Sequence, residues 1–187
     1  MKIKIIGSMS LFCLAMSVSN SYANETEKNE LTNQAKGKIQ AFAKELKSNL
    51  RQAVKVGGLE AGIEVCHKQA SLIAQRMSTD GWTLSRTSLK TRNDANQPKP
   101  WQKEMLLKFQ QQLESGTPVQ QISFSQLDES SYRLMKAIPT GPLCLSCHGK
   151  QLTQSVQSKL NKLYPNDHAV NFSLHDIRGA FVVEKQR

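Results

Sequence analysis

The pentapeptide Cys144-Leu145-Ser146-Cys147-His148 constrains this chain more than any other stretch. Two cysteines separated by two residues and followed directly by a histidine are typical of c-type haem attachment. The spacing matters because two thiols add across the two vinyl groups of one porphyrin, and the next residue can then offer its imidazole to the iron. The motif therefore predicts one covalently bound haem c, with Cys144 and Cys147 as the thioether residues and His148 as an axial ligand.

Other interpretations of the motif stay open at this point. A thioredoxin-like dithiol normally lies at a helix start after a buried strand, and it gives no reason for the histidine that follows. A structural disulfide or a chance match is a second alternative. No acid–base constellation accompanies the two cysteines, so we expect a protein that is not an enzyme. A zinc ion with N/S ligation is a third alternative, for which the chain offers Cys144, Cys147 and two of Cys66, His148, His168 and His175.

The first 23 residues have the pattern of a secretory signal peptide. Lys2 and Lys4 precede an apolar run, and Ser21-Tyr22-Ala23 places small residues at the positions that a signal peptidase requires. The run is short for a membrane span, which disfavours a membrane anchor. We therefore expect cleavage after Ala23, export to a bacterial periplasm, and a single domain over residues 24–187.

The charge of the chain favours some partners over others. Its formal net charge is +10, and Lys2 and Lys4 are the only charged residues before residue 24, so the rest carries +8. Such a basic surface suits acidic protein partners or anionic lipid headgroups. The basic residues are scattered among acids with no aromatic stacking platform, so nucleic acid is not an expected partner.

Cys66 becomes the odd cysteine once Cys13 is removed with the signal peptide. An unpaired cysteine in an oxidising compartment has to be bound or buried. Cys66 lies on the apolar stripe of a predicted helix, so it is a haem ligand, a small buried hydrophobe or a reactive thiol. The odd count favours it as second axial ligand over the other candidates, which are Met77, Met105, Met135, His67, His168 and His175.

Apolar periodicity predicts an α+β domain with an antiparallel sheet. The motif is expected in a loop after a β-hairpin. The predicted elements are helices over 29–56 and 59–78 separated by Gly57-Gly58, a strand over 82–87, a helix over 100–115, strands over 119–127 and 132–138, a helix over 152–163, and strands over 170–174 and 179–184.

Several stretches together resemble one family, the bacterial c-type haem, PAS-like domain that was long catalogued as a domain of unknown function. Its members occur alone and as periplasmic sensor modules of histidine kinases and chemoreceptors. The resemblance implies a PAS-like antiparallel sheet with long N-terminal helices, thioethers at Cys144 and Cys147, and His148 and Cys66 as the axial ligands. It is carried by Ile63-Glu64-Val65-Cys66, Gly81-Trp82, Arg86-Thr87-Ser88-Leu89-Lys90, Arg92-Asn93, the pentapeptide and Asp176-Ile177-Arg178-Gly179-Ala180.

Two functions fit these features. One is a redox or small-ligand sensor with a six-coordinate, low-potential haem, in which oxygen or nitric oxide binds only when one axial ligand leaves. The other is a single-haem electron carrier that docks acidic partners through its basic surface. No kinase or methyl-accepting region follows the last predicted strand, so we expect sensory output to pass through a separate signalling or redox protein.

Arg86 and Arg92 are the candidate partners of the haem carboxylates. The segment between them is basic, and guanidinium forks match carboxylate geometry. The alternative is a solvated basic loop.

Overall fold

The computed structural model describes residues 12–187 and, from residue 24 onward, their side chains. The predicted signal peptide, residues 1–23, lies outside the residues whose side chains are described. Within residues 12–187, no helix contains an apolar stretch of the length that a bilayer requires.

Helix α1 (Phe12–Met77) runs through the N-terminal part of the chain and is kinked at a pair of glycines. Gly58 has a φ of 74°, and neither Gly57 nor Gly58 is helical. A positive φ is accessible to glycine without the steric cost that a Cβ imposes, so the glycine pair divides α1 into two helical segments, as the sequence predicts. The first segment buries Leu31, Ala35, Ile39 and Phe42, and the second buries Ile63, Ala70 and Ile73.

Four strands form one antiparallel sheet in the order β1-β4-β3-β2. Strands β2 and β3 are the predicted hairpin, paired from Ser123↔Lys136 to Leu127↔Tyr132. The bounds are β1 (Trp82–Thr87), β2 (Ser123–Leu127), β3 (Ser131–Pro139) and β4 (Ile177–Gln186). The sheet and the long N-terminal helix confirm the α+β class.

Three shorter helices complete the fold, namely α2 (Pro100–Glu114), α3 (Pro142–His148) and α4 (Gln154–Leu163). Helix α1 covers one face of the sheet, where Phe42 and Ile73 pack on Leu84, Tyr132 and Val183. Helix α2 covers the other face, where Leu106 and Phe109 pack with the alternate strand residues Met135, Ala137, Ala180 and Val182. The central parts of β3 and β4 bury side chains on both faces, as in Leu134-Met135 and Val182-Val183.

A third apolar cluster joins the second segment of α1 to α4. It consists of Ile63, Val156, Leu160 and Tyr164, with Leu59, Cys147, Leu152 and Leu163 packed around it. Cys147 of the pentapeptide therefore contacts the cluster that contains Ile63, which lies one turn before Cys66 on α1. This cluster positions α1 beside the motif.

Three predictions about local structure were wrong. Residues 119–122 form a turn, held by the bond from the Gln121 amide to the Pro118 carbonyl at 2.8 Å, so β2 begins only at Ser123. Residues 170–174 are not a strand, because Asn171 has a φ of 64°. The pentapeptide lies on α3 instead of in a loop, since Pro142 begins a helical turn after Gly141.

Candidate haem site

Helix α3 carries Cys144, Cys147 and His148 on two helical turns. The segment that follows α4 runs back along its C-terminal end. The Phe172 amide donates to the His148 carbonyl at 3.0 Å, and the Asn171 amide donates to the Gly149 carbonyl at 3.1 Å. These two bonds hold residues 169–172 against the end of the motif.

The imidazole of His148 has a defined tautomer. Its Nδ1 lies 2.7 Å from the Ala169 carbonyl oxygen, and because a carbonyl only accepts, Nδ1 must carry the proton. In a neutral imidazole Nε2 then keeps a lone pair. A backbone carbonyl on the remote nitrogen is the usual partner of a metal-binding histidine, because it orients the ring and raises its basicity.

The surroundings of His148 keep it neutral. Burial lowers the pKa of His148 well below its usual 6.5, and the charges of Arg178 and Arg92 lower it further against the opposing effect of the Ala169 bond. His148 also packs edge-on against Phe172, with ring centroids 6.3 Å apart. A neutral imidazole that presents the lone pair of Nε2 is the form that binds iron. Here that lone pair faces Arg92 Nη1 at 3.4 Å, a weak contact that a metal would replace.

Arg92 holds this arrangement in place. Its guanidinium forms an ion pair with Asp167 at 2.9 Å, in which both side chains are largely buried, at 12% and 8% exposure. Nη2 also donates to the Cys147 carbonyl at 2.6 Å and to the Ala169 carbonyl at 3.3 Å, and Nη1 lies 3.4 Å from His148 Nε2. The other carboxylate oxygen of Asp167 accepts from the Ala169 amide at 2.8 Å. Most donors of Arg92 are thus engaged by the protein, and its predicted bond to a haem carboxylate stays a prediction.

Cys66 reaches the same region from α1. The side chain is half-buried, and its sulfur makes no hydrogen bond with any described residue. Burial raises the pKa of the Cys66 thiol, while the charges of Arg86, Arg178 and Arg92 oppose that rise. The charges of Arg86, Arg178 and Arg92 thus act on both Cys66 and His148. The sequence predicts these two residues as the axial ligands.

Arg86 and Arg178 are half-buried cations without an acidic partner among the described residues. The Arg86 guanidinium lies over the Phe42 ring, 5.3 Å from its centroid. Burial, aided by the charge of Arg178, lowers the pKa of Arg86 to about 10. The Nε atom of Arg178 is buried and makes no hydrogen bond.

The other candidate ligands lie elsewhere. Met135 is fully buried between β3 and α2, while Met77 and Met105 pack against the two sheet-covering clusters. The remaining histidines, His67, His168 and His175, are exposed. In the part of the chain with described side chains, no group of three or more His, Cys, Asp or Glu residues is arranged to hold a metal ion.

The donor set fits a haem better than the alternatives. A haem needs only one or two protein ligands to iron, and a neutral histidine and a free thiol are present. It also carries two carboxylates, and two unpartnered guanidinium groups are present. Burial raises the pKa of Cys147, whereas thiol oxidoreductases depend on a lowered cysteine pKa.

A model of the Tll0287-like family matches residues 16–185. The chain belongs to this family. Among solved structures, it is similar to the crystal structure of the cyanobacterial haem protein Tll0287, with a TM-score of 0.55 and 24% identity, over 81% of this chain and 94% of that chain. At this identity the match establishes a shared fold. No curated protein matches the chain significantly.

Membership of the Tll0287-like family confirms the resemblance to the bacterial c-type haem, PAS-like domains. Sequence reasoning missed three parts of the site, namely Asp167, the Ala169 carbonyl and the side chain of Arg178. Arg178 belongs to one of the stretches that carried the family resemblance, so the sequence could have singled it out, but nothing in the sequence indicated its role. A backbone carbonyl has no signal in the sequence at all.

Proposed function

We propose that the chain is a periplasmic c-type haem protein with a PAS-like domain, which senses redox state or a small ligand. One haem is attached by thioethers to Cys144 and Cys147, and His148 and Cys66 hold its iron. The observation that carries the proposal is the Nδ1–H bond from His148 to the Ala169 carbonyl, which keeps the lone pair on Nε2, where iron would replace the 3.4 Å contact with Arg92 Nη1. When bound, a haem supplies a one-electron redox couple and an iron position that opens if a ligand leaves.

The two ligands differ in how firmly the protein holds them, and this difference favours sensing. Ala169 orients the His148 ring, and Arg92 and Asp167 hold Ala169 in turn. The Cys66 sulfur has no hydrogen bond within the described residues, so its release breaks none. We therefore assign Cys66 as the exchangeable ligand. The output would pass to a separate protein partner.

The first experiment tests haem attachment. The full chain is produced in a bacterium with haem maturation, and the exported protein is tested for a Soret band and for haem stain after denaturing electrophoresis. We expect both signals in the wild type. The Cys144→Ala/Cys147→Ala variant should lose the stain, because no thioether can form. Absence of both signals in the wild type would end the proposal.

The second experiment tests the axial ligand. We expect Cys66→Ala to change the ferric spectrum and to raise the midpoint potential, because a thiolate favours ferric iron. His67→Ala is the matched control, since His67 is the next residue on α1 and is exposed. If Cys66→Ala has the same ferric spectrum and midpoint potential as the wild type, as is expected for His67→Ala, then Cys66 is not an iron ligand.

An electron carrier is the second candidate, and the surface beside the motif favours it. Leu143 and Leu174 are 38% and 46% exposed, and their segments are joined by the bond from the Thr140 amide to the Asp176 carbonyl at 2.8 Å. Exposed apolar residues beside a haem suit a docking partner. Carbon monoxide added to the reduced protein separates the candidates. A sensor should shift its Soret band, and a carrier with firmly held ligands should not.

A further inference from the structure

We propose that Arg86 and Arg178 form a twin-guanidinium site for the two carboxylates of the haem. This inference rests on the proposed function and deepens it, because Arg178 has no predicted role and Arg86 was expected to act with Arg92.

Arg86 extends from β1 onto the face that α1 covers. Its guanidinium lies over the Phe42 ring, 5.3 Å from the centroid, and none of its nitrogens pairs with an acid among the described residues. A cation over an aromatic face is attracted to the ring without using its N–H donors. The N–H donors of Arg86 can therefore still bind an anion.

Arg178 is fixed through its backbone. Ser88 Oγ donates to the Arg178 carbonyl at 2.8 Å, and the adjacent Gly179 lies so close to β1 that an added Cβ would be 2.4 Å from the Thr87 carbonyl oxygen. The buried Nε has no partner. The pairing of β1 with β4 thus brings the Arg178 backbone to the end of the strand that carries Arg86, and the charge of Arg178 lowers the pKa of Arg86.

Arg92 has an acidic partner, whereas Arg86 and Arg178 have none among the described residues. Arg92 is buried to a similar degree but is neutralised by Asp167. Two neighbouring buried cations without counter-charges are unfavourable unless an anion joins them. Two guanidinium forks match two carboxylates in both charge and geometry.

The neighbours of the two arginines identify the anion. The residues just before Arg178 are tied to the start of α3, since the Thr140 amide donates to the Asp176 carbonyl at 2.8 Å and the His175 amide donates to the Thr140 carbonyl at 2.9 Å. In agreement with this placement, the charges of both arginines act on Cys66 and His148, the two residues that would hold the iron. A ligand that reaches these residues and also presents two carboxylates is a haem. A free inorganic anion could also bind the guanidinium groups, but it makes no bond to Cys66 or His148 that would place it beside both of them.

The test uses holoprotein that has already shown covalent haem by stain and Soret band, so that failure of haem binding is recognised separately. Arg86→Gln and Arg178→Gln are compared with Lys150→Gln, which removes an exposed charge two residues after His148. Resonance Raman spectroscopy follows the propionate bending band, and potentiometry gives the midpoint potential. We expect both arginine variants to shift the band and lower the potential, since a nearby cation stabilises the reduced iron. Lys150→Gln should leave the band unchanged.

Arg178→Lys keeps the charge but loses the fork, and it replaces Arg178→Gln if that variant does not accumulate. It should shift the band while leaving the potential near that of the wild type. Bands identical to the wild type in both arginine positions would overturn the proposal. A shifted sulfur-to-iron charge-transfer band with an unchanged propionate band would also overturn it, because the guanidinium groups would then face the thiolate. Inorganic phosphate that shifts the wild-type band would identify a free-anion site instead.

Discussion

The two halves of the candidate site are built in different ways. The histidine side comprises His148, Ala169, Arg92 and Asp167, and its polar groups are joined to one another by hydrogen bonds and a buried ion pair. The thiol side comprises Cys66, Arg86, Arg178 and Tyr164. There the cations lack acidic partners, and burial raises the pKa of Tyr164 to about 12. The polar groups of the first half are paired within the protein, and the cations of the second half are not paired with an acid among the described residues.

This difference indicates how the protein can combine a fixed iron ligand with a releasable one. A buried polar network whose members are all paired holds a single geometry. A half-site with unpaired cations gains stability only when an anion arrives. In the proposed function, the histidine side would fix the position of the haem, and the thiol side would respond to it.

Removing the central cation of the histidine side should have the largest effect. We expect Arg92→Ala to lower the free energy of unfolding by about 3–5 kcal/mol, because it leaves the buried Asp167 carboxylate unpaired. Urea unfolding monitored by circular dichroism measures the change. Arg76→Ala is the control, since the Arg76–Glu45 pair is exposed and should contribute about 1 kcal/mol or less. Equal losses in the two variants would mean that the histidine side is not a rigid network.

Substituting Gly179, where β1 and β4 meet, should have the second-largest effect on stability. This part of the sheet positions Arg86 and Arg178 of the thiol side. An alanine at position 179 would bring its Cβ to 2.4 Å from the Thr87 carbonyl oxygen. We expect Gly179→Ala to destabilise the protein by about 1–3 kcal/mol through this overpacking. Gly37→Ala in α1 meets no atom within 4 Å and should stabilise by about 0.5–1 kcal/mol. Thermal unfolding of both variants would reveal opposite signs, and matching signs would contradict the proposed steric cause.

The thiol side should respond to loss of a cation in the opposite direction to the histidine side. In chain produced without haem, Arg178→Met removes a buried, unpartnered donor and should raise the free energy of unfolding by about 1 kcal/mol. In holoprotein the same change should destabilise, since it removes a partner of a haem carboxylate. Urea unfolding of the two forms measures both signs. A destabilised haem-free variant would show that Arg178 already has its partner within the protein.

The smallest effect concerns the link between α1 and α4 beside the thiol side. Lys159 and Lys68 both bind Glu64 and lower its pKa from 4.5 to about 2. Because the folded pKa is depressed, this stabilisation is present above pH 4.5 and is lost as the pH falls toward 2. Glu64→Gln should therefore be less stable than wild type at about pH 5, and the difference should become clearly smaller at about pH 2.5, close to the folded pKa, as measured by urea midpoints. Glu104→Gln, from an exposed pair on α2, should show a smaller difference at both pH values.

Much of the fold could be predicted from local pattern. The break at Gly57-Gly58, the hairpin of β2 and β3 and the α+β class follow from apolar period and turn residues. The predicted strand over 170–174 was wrong because alternation alone does not reveal the positive φ of Asn171. The positive φ of Asn171 brings residues 169–172 to α3, where they form hydrogen bonds with His148 and Gly149. These bonds join distant parts of the chain, so local alternation could not predict them.

The pentapeptide and the odd cysteine predict Cys144, Cys147, His148 and Cys66 as the haem residues, because covalent and ligand chemistry depends on residue type and spacing, and this assignment stays a prediction. What the sequence could not provide was how these residues are supported. The proton on His148 Nδ1 depends on a carbonyl 21 residues away, and Arg92 is engaged by an aspartate 75 residues away. Such partners meet only when the chain is folded, because hydrogen bonds require geometry that composition and period do not encode. The sequence thus determined which groups have the chemistry to bind a haem, and the tertiary structure decided which of their neighbours are paired within the protein.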